Sequence, residues 1–74
     1  MKLSEFHRAV ADEFGDGMGR VIVQDAVIAE LGDRTAEQAL ASGVPTRQVW
    51  LALCRLRGVP AERRAGAGRP DPRD

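Results

Sequence analysis

Gly15, Gly32, Gly43 and Gly58 interrupt this chain at short intervals, so no single element in it can be long. Between these breaks the apolar residues recur at helical spacing, which points to four short amphipathic helices. The first is expected from Glu5 to Phe14, with Phe6, Val10 and Phe14 at i, i+4 and i+8 and with Ser4 placed to cap it. The second is expected from Met18 to Leu31, after the turn Gly15-Asp16-Gly17. Its Val21-Ile22-Val23 run could be a short strand, but it flows directly into Ala26, Val27, Ile28 and Leu31, and the spacing predicts helix. The third, Ala36 to Ser42, opens on Thr35 and Gln38, a pair that can form a capping box. The fourth starts at Pro45, whose fixed φ suits the first helical position, and runs to about Arg57 before Gly58 and Pro60.

The expected fold class is therefore all-α: a small bundle of four helices whose last two form a helix-turn-helix-like corner, followed by a disordered C-terminal tail. The helical domain is expected over residues 1–59 and the tail over 60–74, where Ala, Gly, Pro, Arg and Asp replace every large apolar residue. A chain of 74 residues holds one domain, whose stability should be about 3–5 kcal/mol. Few side chains can build the core. The expected set is Phe6, Val10, Phe14, Ile28, Leu31, Leu40, Val49, Trp50, Leu53 and Cys54.

Charge favours no particular partner. The 11 basic and 11 acidic residues cancel, and the segment up to Val59 carries 7 and 8 of them. Neither the body nor the tail has the positive excess of a protein that holds nucleic acid mainly through phosphates. A single cysteine cannot form an internal disulfide, the N-terminus turns polar at Lys2, and no apolar run approaches a membrane span. A cytoplasmic protein without a membrane contact is expected.

Catalysis needs groups that can be paired, and the sequence offers few. His7 is the sole histidine and falls in the first turn of the first helix, where exposure is usual and the helix dipole opposes an imidazolium. Cys54 has no second thiol at ligand spacing and lies on the Val49-Trp50-Leu53 stripe, as a small buried hydrophobe would. Gly15, Gly17 and Gly19 alternate without the strand or the Lys-Ser/Thr of a phosphate loop. Asp12, Glu13 and Asp16 lack the ligand count of a calcium loop. No catalytic residue, cofactor site or metal site is expected, and the chain reads as a non-enzyme.

One pattern rises above this background. Ala39, Gly43 and Val49 have the spacing of a helix-turn-helix, in which a small residue, a turn and a buried valine let two helices cross closely. Gln38 falls where that motif buries an apolar residue, and Trp50 and Leu51 fall where it should present polar groups to bases. A tight corner in a small bundle needs the same residues, and that is the preferred reading. In the tail, Gly68-Arg69-Pro70 is half of a minor-groove motif, with Ala67 before it and Asp71 after it.

Met1-Lys2-Leu3-Ser4-Glu5-Phe6, Asp25 with Val27 and Ile28, Leu31-Gly32-Asp33-Arg34-Thr35, Ala39-Leu40, Gly43, Pro45, Val49-Trp50 and Cys54 together resemble the actinobacterial domain of unknown function 3046 (DUF3046). The likeness covers about residues 1–60. It implies a short cytoplasmic protein without an assigned activity, and a gene neighbourhood near recombination genes that suggests DNA repair. The chain has Ala26 where members often have a histidine, and lacks an aromatic residue near Met18-Gly19.

Among the shared residues Asp25, Arg34 and Thr35 make a possible polar corner. Arg34 is expected to bond carbonyls at the end of the second helix or to pair with Asp25. Trp50 is expected to anchor the core, the competing reading being an exposed anchor for a partner. The functional expectation is a protein–protein interaction or adaptor module. It would bind an unknown protein, or another copy of itself, through an apolar groove between the second and fourth helices. The alternative is a helix-turn-helix-like nucleic-acid-binding protein using Thr46, Arg47, Arg63 and Arg64.

Overall fold

The computed structural model describes residues 1–64, and the half motif around Arg69 lies outside them. Four α-helices and one two-stranded ribbon make the fold. Helix α1 spans Leu3–Phe14, earlier than expected, because Lys2 rather than Ser4 is its cap. The Lys2 backbone N–H donates to the Glu5 carboxylate at 2.7 Å, and that carboxylate also faces the positive end of the helix dipole. Phe6, Ala9 and Val10 are buried, and Phe14 is half-buried at the far end of the same stripe.

Gly15 alone joins α1 to α2, which spans Asp16–Asp25. The expected helix to Leu31 is not formed. At ~100° per residue, a continuous helix would bring Leu31 out on the side opposite Ile22, so both could not reach one core. Instead the chain leaves α2 at Ala26 and Val27–Ile28 forms strand β1. A 3-10 turn at Ala29–Leu31 and two left-handed residues, Gly32 and Asp33, then lead into strand β2, Arg34–Thr35. The strands pair antiparallel with Val27 opposite Thr35 and Ile28 opposite Arg34. Strand alternation turns Ile28 inward and Val27 outward, and the 3-10 turn brings Leu31 back to the core.

Helix α3 is Ala36–Ala41, and its capping box forms as expected: the Gln38 N–H donates to the Thr35 hydroxyl at 3.1 Å, and the Thr35 N–H to the Gln38 amide oxygen at 3.0 Å. Helix α4 spans Thr46–Arg57, with Pro45 as its cap rather than its first residue. Gly58 ends it in the left-handed region, and the Val59 N–H closes back on the Cys54 carbonyl at 2.9 Å. Trp50, Phe6, Ile28, Leu53, Val49 and Cys54 are wholly buried, while Leu40 is half-buried. Ala36, Ala39 and Ala52 are buried small residues that allow the helices carrying them to come close. Gly19 does the same between α1 and α2, since a Cβ there would lie 2.7 Å from Val10 Cγ1.

The expected tail boundary is also shifted. Pro60–Arg64 returns over the body through a 3-10 turn at Ala61–Arg63, and the Trp50 indole N–H donates to the Arg64 carbonyl at 2.6 Å. The backbone and side chain of Arg64 supply an anchor that apolar content could not reveal. The rest of the expected disordered tail, 65–74, lies outside the described residues.

Candidate functional site

The residues singled out in the sequence do not converge on one site. Thr35 is buried in the cap of α3, whereas Asp25 and Arg34 are exposed. The Arg34 guanidinium neither pairs with Asp25 nor bonds the end of α2. It donates to the Ser42 hydroxyl at 2.9 Å, and that hydroxyl donates to the Ala39 carbonyl at 2.9 Å. The hairpin accounts for this difference. It carries Arg34 past the end of α2 and sets it over the C-terminus of α3, where exposed carbonyls favour a cation.

Of the residues suggested for nucleic acid, Arg47 is exposed on the first turn of α4, and the other three have partners inside the chain. The Thr46 hydroxyl donates to the Met1 carbonyl, linking the start of α4 to the N-terminus. The Arg63 guanidinium grips the Glu13 carboxylate at 2.9–3.3 Å, and Arg64 Nε donates to the Val59 carbonyl at 2.8 Å. Trp50 is wholly buried and Leu51 half-buried. The corner between α3 and α4 is thus packed at the positions where a reading helix would present side chains.

Helix α2 packs on α1, α3 and β2, whereas α4 packs on α1, α3, β1 and the 3-10 turn after β1. A concavity of about 320 Å³ opens between α1 and α2. Val10, Ala11, Gly19 and Val23 line its apolar part. His7, Asp16, Arg20, Gln24 and, from α3, Glu37 supply its polar part. Sequence reading missed it although Asp16, Arg20 and Gln24 follow at i, i+4 and i+8, a spacing that puts them on one face of a helix. Elsewhere on α2, Met18 and Val21 remain 57% and 50% exposed.

Two places show a clear electrostatic perturbation. Arg55 donates to Glu30 at 2.8 Å through Nε and 2.7 Å through Nη2. This hydrogen bond holds the Glu30 carboxyl below its ordinary 4.5 and raises Arg55 in turn. Burial pushes the Cys54 thiol up to about 11, with the charge of Arg64 pulling the other way. That thiol is not poised as a nucleophile. Among the described residues, no three His, Cys, Asp or Glu side chains gather to hold a metal ion, and no helix is long and apolar enough to cross a membrane.

No curated protein and no solved structure matches this chain. A family model described as "Protein of unknown function (DUF3046)" matches residues 1–62, a span that takes in all four helices, the hairpin and the first residues of the returning C-terminal segment. The chain therefore belongs to the DUF3046 family.

Proposed function

We propose that this chain is a binding module that engages another protein through its α1–α2 hairpin and performs no chemistry itself. The observation that carries this reading is the open cleft of about 320 Å³ between α1 and α2, on a hairpin whose α2 also leaves Met18 and Val21 in solvent. A cleft of this size with an apolar floor and convergent polar groups suits a few side chains of a partner. Exposed Met and β-branched residues in a domain with so small a core support a contact surface. His7 is exposed on α1 and Cys54 is sealed inside α4, so the reading assigns them no shared catalytic step. The unpaired thiol supports a reducing compartment such as the cytoplasm.

A photo-crosslinking residue placed at Gln24 or Met18 tests this in the native host. The expected result is one discrete adduct from both positions and none from Gln48 on α4. Adducts from Gln48 alone would overturn the assignment.

A second reading keeps one observation in its favour. Helix α4 carries Arg47, Arg55 and Arg57 with no acidic residue, as a nucleic-acid-facing helix would. A salt titration of binding to duplex and single-stranded DNA tests it, and R47A should weaken any affinity found. Absence of binding at low salt would remove this reading.

A further inference from the structure

The segment after α4 is held to the body by polar contacts. Val59 is buried, but none of the side chains of Pro60–Arg64 is, and this stretch has no large apolar residue. Among the described residues, three fastenings hold it. Arg63 grips Glu13 of α1, Arg64 Nε donates to the Val59 carbonyl, and the Arg64 carbonyl accepts from the Trp50 indole. Against it lies the largest core side chain, Trp50, with Cys54 one helical turn further along α4, both wholly buried.

We propose that Pro60–Arg64 is a releasable strap. The Glu13–Arg63 ion pair fastens it over Trp50, and its opening uncovers the indole and the adjoining Cys54 while α1–α4 stay folded. The physical reason is a mismatch between what the segment covers and what holds it. Ion pairs near the surface contribute little and are screened by salt. No side chain within Pro60–Arg64 is itself buried, so the apolar cost of release is confined to the part of the Trp50 ring that it uncovers. When the strap lifts, water can accept from the indole N–H, so no buried donor is stranded. Arg63 is 53% exposed and Glu13 only 11%, so opening also rehydrates the more buried partner. Arg64 and Glu13 both lie close enough to Cys54 for their charges to act on its thiol, which makes that thiol a local reporter. A segment held this way belongs among the parts of a protein that open locally, well below the free energy of global unfolding.

The experiment is labelling of Cys54 by an aromatic disulfide reagent in the full chain, comparing wild type with E13Q and R63Q under native conditions. At low salt each variant should label about fivefold faster than wild type, the equivalent of about 1 kcal/mol for such a pair. Far-UV circular dichroism should not change. Raising salt to about 0.5 M, where screening is nearly complete within a few ångströms, should bring the wild type toward the variants. Low denaturant should change the wild-type rate less steeply than it changes global unfolding, since only part of the core surface is exposed. Equal rates in wild type and E13Q at low salt, or a denaturant slope equal to that of global unfolding, would overturn the proposal. If a variant fails to fold, the wild-type chain decides alone, and labelling insensitive to salt would sink the strap.

Discussion

Trp50 is the residue on which most of the fold depends. Its ring is wholly buried, and its N–H meets the Arg64 carbonyl. Truncation to alanine should cost about 3–5 kcal/mol, which equals the whole stability expected of so small a domain. W50A should therefore be unfolded by circular dichroism at room temperature. W50F keeps an aromatic ring and loses the indole donor, and should remain folded with a loss of about 1–2 kcal/mol in a denaturant titration. Thr35 acts more locally. Its hydroxyl accepts the Gln38 N–H, so T35A should lower stability by about 1 kcal/mol, with T35S restoring most of it. Both residues were legible in the sequence, Trp50 from its place on an apolar stripe and Thr35 from its spacing to Gln38. The partner of Arg34 was not. Serine hydroxyls accept from many positions, and only the hairpin brings Ser42 within reach.

At the level of elements, the contact between α1 and α2 depends on the missing side chain of Gly19. Alanine in a helix is favoured over glycine by about 1 kcal/mol, which argues for stabilisation. Against that, the new methyl would lie 2.7 Å from Val10 Cγ1 and 3.3 Å from the Val10 carbonyl oxygen. Overpacking of this kind costs about 1–3 kcal/mol, and the backbone atom cannot step aside cheaply. The overlap wins. G19A should be less stable by about 1 kcal/mol, and V10A/G19A should lose less than the sum of the single changes when thermal midpoints are compared. The α2 region is also where helical periodicity misleads. Val21 to Ile28 reads as one apolar run, yet its two halves serve different elements. The break at Ala26 has no strong local signal, because neither glycine nor proline marks it.

The stability of the whole molecule should respond to pH from both sides. Glu30 is depressed below 4.5 by the hydrogen bond from Arg55, so its contribution is present at neutral pH and is lost as pH falls through the lowered value. E30Q should flatten the acid limb of a stability–pH curve, modestly, because the pair is exposed. Cys54 behaves in the opposite sense. Its thiol ionises near 9.0 in the unfolded chain and near 11 in the fold, so its contribution is full below 9 and is lost between those values. Wild type should lose about 3 kcal/mol across that window. C54A should lose less there, and chemical denaturation at several pH values would show it. An unchanged alkaline limb in C54A would mean that the thiol is not sealed as the structure shows.

Helices α1, α3 and α4, the capping box and the burial of Trp50 can be read from local patterns in the chain. Each of these depends on residues within a turn or two of one another, where periodicity and caps act directly. Where α2 ends, how Ile28 and Leu31 both reach the core, and where a cleft opens emerge only from three-dimensional packing. So does the meeting of charges, because Glu30 and Arg55 lie 25 residues apart and Glu13 and Arg63 lie 50 apart. These outcomes follow from the need of one small core to be filled from every side at once. No local pattern records that demand, since it exists only when distant segments compete for the same volume.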